Sequence, residues 1–516
     1  MVAQQIRSAL EAAVGGDIEF TVERPKQAGH GDYASNAALV VAKRDGKDPK
    51  EVAEALRGKL ASERFEVSVG GPGFLNFTAS PGAWQEVLQR ILDERLNYGS
   101  AKPTNRKVQV EFISANPTGP LTLGNGRGGF GGDILANVLA RAGNAVEREY
   151  YINDIGGQID ALGASLKGTD KVYSGPYVDE LATKLDGKKS EAELGREAAE
   201  LLTEEIRATV TRMGISFDSW FSERAELHET GAIEKVLADM ETADATYEQD
   251  GALWLKTTQF GDDKDRVLKK SDGTLTYLAA DLAHYYRALA IDKVDVRINI
   301  LGADHHGYVA RMQAGVEFLR AADEFTGQSV ILVTQLVRLV QGGKEVKMSK
   351  RAGTFVALDD LLDEVEPDVA RFFFVMRSFD THMDFDMDLA KERSEKNPVF
   401  YLKYAHARIC SILDKTDLAD EPADLAKLTE PAELALIKEL AEFPEIVTRT
   451  AEDYQVQRVP HYALAVADAF HKFYEQCRVI SDDAELTKAR LQVVRGTQIV
   501  LRNLGDTLGI EMPETM

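Results

Sequence analysis

The chain has 516 residues, 44% hydrophobic and 28% charged, with a formal net charge of −23. That composition suits a multidomain globular protein; it carries no apolar run near the ~18 residues of a membrane span. The acidic balance argues against nonspecific nucleic-acid binding, which needs Lys and Arg on phosphates, but leaves room for an RNA ligand on a local patch.

The N-terminus "MVAQQIRSALEAAVGG" reads as an amphipathic helix without the apolar core of a signal peptide. Only two cysteines, Cys410 and Cys477, are present, far apart, which argues against a CxxC zinc site and a disulfide framework. The cytoplasm is the expected compartment.

In chain order, residues 1–79 read as a small α+β domain, with strands such as "FEVSVGG" and "GFLNFTAS" between helical runs. Residues 80–106 read as a linker helix, opened by Pro81 and ending near "NYGSAKPTN". From Lys107 to 395, strands and helices alternate: "VQVEFIS", "FGGDILANVLARAG", "AVEREYYI", "GGQIDALGASL". Short connections between such elements mark a parallel α/β sheet. About 170–255 is charged and helical and reads as an insertion. "TLTYLAADLAHYYRAL" and "VRINILGADHHGY" resume the alternation, followed by a polar loop over 344–354 within "QGGKEVKMSKRAGT". Residues 396–516 carry 3.6-residue periodicity throughout and read as an all-α bundle.

One stretch, "NPTGPLTLGNGRGG" (Asn116 to Gly129), admits three readings. Gly126, Gly128 and Gly131 spell GxGxxG, but a dinucleotide loop needs its first glycine directly after the strand, and here Pro117 and Pro120 intervene. The glycines also suit close helix–strand packing. Alternatively the stretch ends at a helix N-terminus, which favours an anion, with Gly124 letting a base approach the backbone. The downstream "KMSKR" favours the third reading: lysines either side of Met-Ser suit a transient polyphosphate.

Together these motifs identify a family. "GHGDYASNAAL", "VEFISANPTGPL", "EREYYINDIGGQI", "SDGTLTYLAADLAHYY", "GADHHGY", "GKEVKMSKRAGT", "NPVFYLKYAHAR" and the final "GIEMPETM", in this order, resemble the bacterial-type arginyl-tRNA synthetases over essentially the whole chain. The resemblance implies a class I Rossmann-like catalytic domain, an additional N-terminal tRNA-binding domain and a C-terminal anticodon-binding bundle. It implies L-arginine, ATP and the tRNA for arginine as partners, with Mg²⁺ accompanying ATP, no structural metal, no membrane and a monomer. The tRNA is expected to be needed even for the first step.

Several residues draw physical support beside the resemblance. Glu111 lies inside an apolar strand, where a carboxylate is rare unless paired, and a guanidinium pocket needs carboxylates. Tyr277 and Asp281 share a helix face. The resemblance carries Glu111, Ser114, Asn116, Asn125, Tyr277 and Asp281 over as arginine ligands. His305 and His306 follow a strand's C-terminal end, where α/β ligand sites cluster. They join Thr122, Gly124, Asn125, Gly126, Met348 and Lys350 as ATP contacts. Lys347 and Lys350 are expected to stabilise the departing pyrophosphate.

For tRNA, Lys488, Arg495 and Arg502 recur every seventh residue as a basic stripe, and Tyr401 and Tyr404 suit base stacking. Tyr33 and Asn36 are the N-terminal candidates, although neighbouring Asp32 and Ser35 also suit helix capping. The first nucleotide motif departs from the family: Thr122 and Asn125 stand where two histidines are expected. Both can hydrogen-bond, but neither can become cationic. A catalytically weakened paralogue that binds tRNA therefore stands as an alternative, with a dinucleotide-dependent oxidoreductase more remote.

Overall fold

The computed structural model describes residues 2–15, 18–25, 27, 29–346 and 356–516, apart from the side chains of Asp304, His306 and Asp420. In the N-terminal region four antiparallel strands lie in the order Val22–Glu23, Tyr33–Ser35, Phe74–Ala79, Phe65–Gly70. Helix Pro49–Leu60 starts where Asp48 accepts the Lys50 and Glu51 N–H groups, and Val52, Leu56 and Leu60, four apart, form its buried face.

Helix α1 (Pro81–Glu94) leads to a five-stranded sheet of β1 (Lys107–Glu111), β2 (Ala145–Ile152), β3 (Ser219–Ser222), β4 (Val296–Gly302) and β5 (Gln328–Thr334). The order is β5-β4-β1-β2-β3, and every neighbouring pair is parallel. Between them run α2 (Leu123–Arg141), α3 (Gly157–Lys167), α4 (Glu191–Arg212), α5 (Tyr277–Tyr286) and α6 (Val309–Asp323). The strand order reverses between β1 and β4. Their carboxyl ends open a crevice at this switch point, where doubly wound sheets bind ligands.

The structure settles three segments. β3 falls within the stretch expected to be an insertion, yet it pairs with β2 as the sheet's edge; only Phe221 of its four residues is buried, so it carries no apolar run. "LVTQLVRLV" divides into β5 and a separate strand, Val337–Gln341, that pairs with Met383–Asp386 and Lys344–Glu345. Finally, α2 begins at Leu123, so the glycine stretch expected as a loop forms the helix's first turns. Tertiary packing outweighs the poor helix propensity of glycine here. A Cβ at Gly132 would lie 2.4 Å from Phe112, and one at Gly131 2.3 Å from Phe379. Gly131 and Gly132 thus serve close packing. Gly126, Gly128 and Gly131 lie inside a helix, not in a dinucleotide loop.

The C-terminal bundle includes α7 (Pro398–Leu413), opened by the Asn397 side chain, and the 25-residue α8 (Ala484–Leu508), opened by Asp483. Helix α1, expected as a linker, is built into this bundle. Leu88 and Ile91 fill the space that Gly496 leaves, and Asn503 of α8 donates to the Arg95 and Tyr98 carbonyls at 2.9 and 3.0 Å. No helix among the described residues is long and apolar enough to cross a membrane.

Helices α3 and α4 cross at backbone contact. A Cβ on Gly163 would sit 1.9 Å from the Glu191 carbonyl oxygen, and one on Gly195 2.2 Å from that of Ile159. Backbone cannot move aside as a side-chain tip can. Gly163→Ala is expected to destabilise the fold by about 1–3 kcal/mol, the usual cost of overpacking. An unchanged denaturant midpoint would show that the helices separate freely.

Candidate active site

A cavity of about 940 Å³ occupies the crevice at the β1/β4 switch point. One wall is the segment after β1, where Ile113 and Ser114 both have positive φ (68° and 38°). A β-branched residue in this conformation is strained, and such strain clusters at functional sites. Tyr151 N–H donates to Ser114 Oγ at 3.1 Å and braces the segment.

Of the expected arginine ligands, Glu111, Ser114, Asn116, Asn125, Tyr277 and Asp281 all line this cavity, as do Thr122 and His305. Tyr277 stands exposed and Asp281 lies one turn further along α5. The Tyr308 hydroxyl donates to Asp281 Oδ2. Burial pushes the Asp281 carboxyl up to about 7; Glu111 and Glu223 add to the shift, while Tyr308 and Arg297 oppose it. Burial also raises the carboxyl of Glu223, a third acid on the cavity wall. Three carboxylates thus share this cavity with Arg266 and Arg311, of which Arg266 is already paired with Asp262 and Asp263.

Glu111 is paired within the protein. Its Oε2 accepts from Arg297 Nη2 at 2.5 Å and from Asn299 Nδ2. Glu111, Glu149 and His284 place potential metal-ligand atoms within 4.8 Å of one another. The Arg297 guanidinium already bonds both carboxylates, at 2.5 Å to Glu111 and 3.1 Å to Glu149. This donor set is therefore satisfied by an internal cation and does not suit a metal.

Thr122 and Asn125 make their own arrangement at the start of α2. Asn125 Oδ1 accepts from the Thr122 N–H at 2.8 Å and from the Thr122 hydroxyl at 2.9 Å. A backbone N–H only donates, so it fixes the carbonyl end of the amide. The Nδ2 group is left to donate elsewhere. The two side chains are thus unequal, and the Thr122 hydroxyl proton is spent inside the protein. Ala357 bridges to Thr122, and Leu358 N–H donates to the Leu121 carbonyl at 2.8 Å. The chain leaving 347–355 therefore passes beside the nucleotide motif. Lys347, Met348 and Lys350 lie outside the described residues, as does the His306 side chain.

Other expectations are corrected. Gly126, expected to contact ATP, is buried, and a Cβ there would lie 2.8 Å from Leu358, so its missing side chain serves packing. Gly124 is exposed at the start of the helix, with only the Thr122 hydroxyl near its missing side chain. Tyr33 is 5% exposed and donates to Glu442 at 2.7 Å, so it is structural, while half-buried Asn36 accepts the Thr21 N–H. Asp32 pairs with Lys438 at 2.5 Å, and Arg24 with Glu439 and Glu442 at 3.0 Å. These contacts tie the N-terminal region to the bundle. Ser35 accepts the Ala37 N–H, as a helix-start residue does.

The basic stripe is neutralised at both ends. Lys488 pairs with Glu421 and Glu485 at 2.8 and 2.9 Å, and Arg502 pairs with Glu514 at 2.9 Å. Arg495, between them on α8, is half-buried. Tyr401 and Tyr404 do form an aromatic surface. Tyr404 is 39% exposed, Arg408 lies 4.7 Å over its ring and 5.3 Å over that of exposed Tyr474, and His471 packs beside both Tyr401 and Tyr404.

Sequence reading missed Glu223, Tyr308, Arg311 and Arg297. Glu223 directly follows β3, too short a strand to recognise. Arg297 carries the same signal as Glu111, a charge inside an apolar strand.

Family models match three stretches: "Arginyl tRNA synthetase N terminal domain" at 1–79, "tRNA synthetases class I (R), catalytic domain" at 177–372, and "DALR anticodon binding domain" at 402–516. The arginine–tRNA ligase of Frankia alni is 44% identical, with all of both chains covered. That of Heliobacterium modesticaldum is 41% identical over 99% of this chain and 96% of its own. Among solved structures, a Campylobacter jejuni putative arginyl-tRNA synthetase is 29% identical with a TM-score of 0.75, covering 85% of this chain and all of its own. The Thermus thermophilus arginyl-tRNA synthetase shares the fold at a TM-score of 0.82 and 23% identity, with both chains fully covered. Matched along its full length by these relatives, and carrying their N-terminal, catalytic and anticodon-binding domains, the chain belongs to the arginyl-tRNA synthetase family of class I aminoacyl-tRNA synthetases.

Proposed function

We infer that this protein ligates L-arginine to its tRNA in two ATP-dependent steps. The arginine carboxylate attacks the α-phosphate of ATP, forming arginyl-adenylate and releasing pyrophosphate. The terminal ribose hydroxyl of tRNA then takes the arginyl group and AMP leaves. The observation that carries this reading is the cavity's lining: Glu111, Glu223 and Asp281 face the same space as the start of α2. The carboxylates suit a guanidinium and the helix N-terminus suits phosphate.

Glu111 and Asp281 hold the substrate guanidinium in this reading, with Tyr277, Ser114 and Asn116 around the rest of the amino acid. Asn125 and His305 face ATP, which enters as its magnesium complex. Lys347 and Lys350 act on the departing pyrophosphate. The enzyme works as a cytoplasmic monomer. Arginine-dependent ATP–pyrophosphate exchange, with and without tRNA, tests the whole reading. Exchange that requires arginine and cognate tRNA is expected; tRNA binding without any exchange would replace it with the non-catalytic paralogue.

The exposed Tyr404–Arg408–Tyr474 surface is assigned to unpaired bases of the tRNA, with Tyr401 behind it. Stacking on an aromatic side chain contributes about 1–3 kcal/mol per base, so Tyr404→Ala is expected to weaken tRNA binding by roughly 5- to 150-fold. Titration at one fixed salt concentration checks this, because salt alone shifts such affinities. Equal affinity in mutant and parent would move the contact elsewhere.

A further inference from the structure

We propose that Arg297 is a positioning residue for arginine recognition: it locks Glu111 so that one carboxylate oxygen is left to receive the substrate guanidinium. The proposal rests on the reading of Glu111 as an arginine ligand and extends it to a residue outside the cavity wall.

Parallel pairing creates the arrangement. Strand β4 sets Arg297 opposite Gln109 and Asn299 opposite Glu111, while β2 sets Glu149 opposite Glu111. Side chains two apart share a sheet face. One face of three central strands therefore carries Gln109, Glu111, Glu149, Arg297 and Asn299, all at most 7% exposed. The Arg297 Nη1 donates to Gln109 Oε1 and, at 3.1 Å, to Glu149 Oε1; Nη2 donates to Glu111 Oε2 at 2.5 Å and lies 3.1 Å from His284 Nδ1. The guanidinium lies 4.8 Å over the Tyr285 ring. Its plane is thus held from several directions.

Stability alone does not explain a fully buried arginine. Well-packed apolar residues of similar volume are often as stable as a buried ion pair or more so. What the pair supplies is orientation. Both donors to Glu111, from Arg297 and Asn299, fall on Oε2. The other oxygen is the one available to a ligand, and Glu111 is the member of this pair that lines the cavity. Glu149 supplies the second charge that balances Arg297, so Glu111 is not fully neutralised by it.

Arg297→Lys keeps the charge but cannot bridge three acceptors from one plane. At saturating ATP and tRNA it is expected to raise the arginine KM by about tenfold or more and change kcat by less than about threefold, the pattern of lost uniform binding. Glu111→Gln alone is expected to raise the KM as well. In that background Arg297→Lys should add less than about twofold, because the carboxylate it positions is gone. An unchanged KM, a loss in kcat alone, or equal KM increases in both backgrounds would overturn the proposal. Glu111→Gln separates the two ideas: if it leaves the KM unchanged, the arginine-pocket reading itself is wrong. Should melting curves show Arg297→Lys unfolded, Asn299→Leu removes the other donor to Oε2. It is expected to raise the KM severalfold with Glu111 present and not with Gln, and an unchanged KM there counts equally against the proposal.

Discussion

Asp281→Asn is expected to weaken arginine binding by about 2–5 kcal/mol, roughly 30- to 5000-fold in dissociation constant. The substrate guanidinium would lose a charged partner inside a cavity where water screens little. Tyr308 would also face an amide in place of the carboxylate it now bonds. Calorimetry on the free enzyme reads this directly, and an unchanged affinity would remove Asp281 from the pocket.

The same group predicts a pH dependence. Burial raises the Asp281 carboxyl to about 7, so in the ligand-free protein it is increasingly protonated below that pH. A bound guanidinium favours the ionised form. Arginine affinity should therefore fall as pH drops below 7, by up to about tenfold per unit, because binding must release the Asp281 proton to solvent; Asp281→Asn should flatten this slope. The stability effect has the opposite sense. A carboxyl whose folded value lies above its unfolded one stabilises the fold fully below the unfolded value, near 3.9. That contribution is lost as pH rises through about 7.

Asn125→Ala is expected to slow arginine activation by about 10²–10³-fold, the usual effect of deleting one preorganised donor aimed at a transition-state oxygen. Its Oδ1 is held by the Thr122 N–H and hydroxyl, which leaves Nδ2 as the donor at the cavity. Thr122→Val keeps the backbone bond and loses the hydroxyl bond. It should therefore slow activation much less than Asn125→Ala. Single-turnover rates at saturating ATP make the comparison. If Asn125→Ala runs at the parental rate, this motif has left the chemistry, and the burden falls on Lys347, Lys350 and His305.

Much of the candidate site was legible because polar residues stand in strands, after them and on one helix face where apolar residues would otherwise be expected. Glu111 within "VQVEF", Asp281 one turn beyond Tyr277, and His305 after "VRINIL" all line the cavity. The reading failed where a residue's partner lies far along the chain. Tyr33 meets Glu442 and Lys488 meets Glu421. Sequence spacing identifies a face of a helix but does not tell whether that face meets water, an acid or a nucleic acid. Lys488 illustrates this: its seven-residue spacing from Arg495 is real, yet two glutamates already neutralise it.

By itself the sequence determined the class of fold and the chemistry. Alternating strand and helix patterns dictate a parallel sheet, helical periodicity dictates the terminal bundle, and the ordered motifs specify the family, because each depends on local spacing along the chain. Only the tertiary structure decided that the glycine stretch is helical, since that depends on Phe112, Phe379 and Leu358 filling the space of absent side chains. It alone decided that Thr122 serves Asn125, and that Arg297 shares Glu111 with the cavity. Hydrogen bonds and ion pairs act over a few ångströms, and which groups come that close is settled by strand register and packing between segments far apart in sequence.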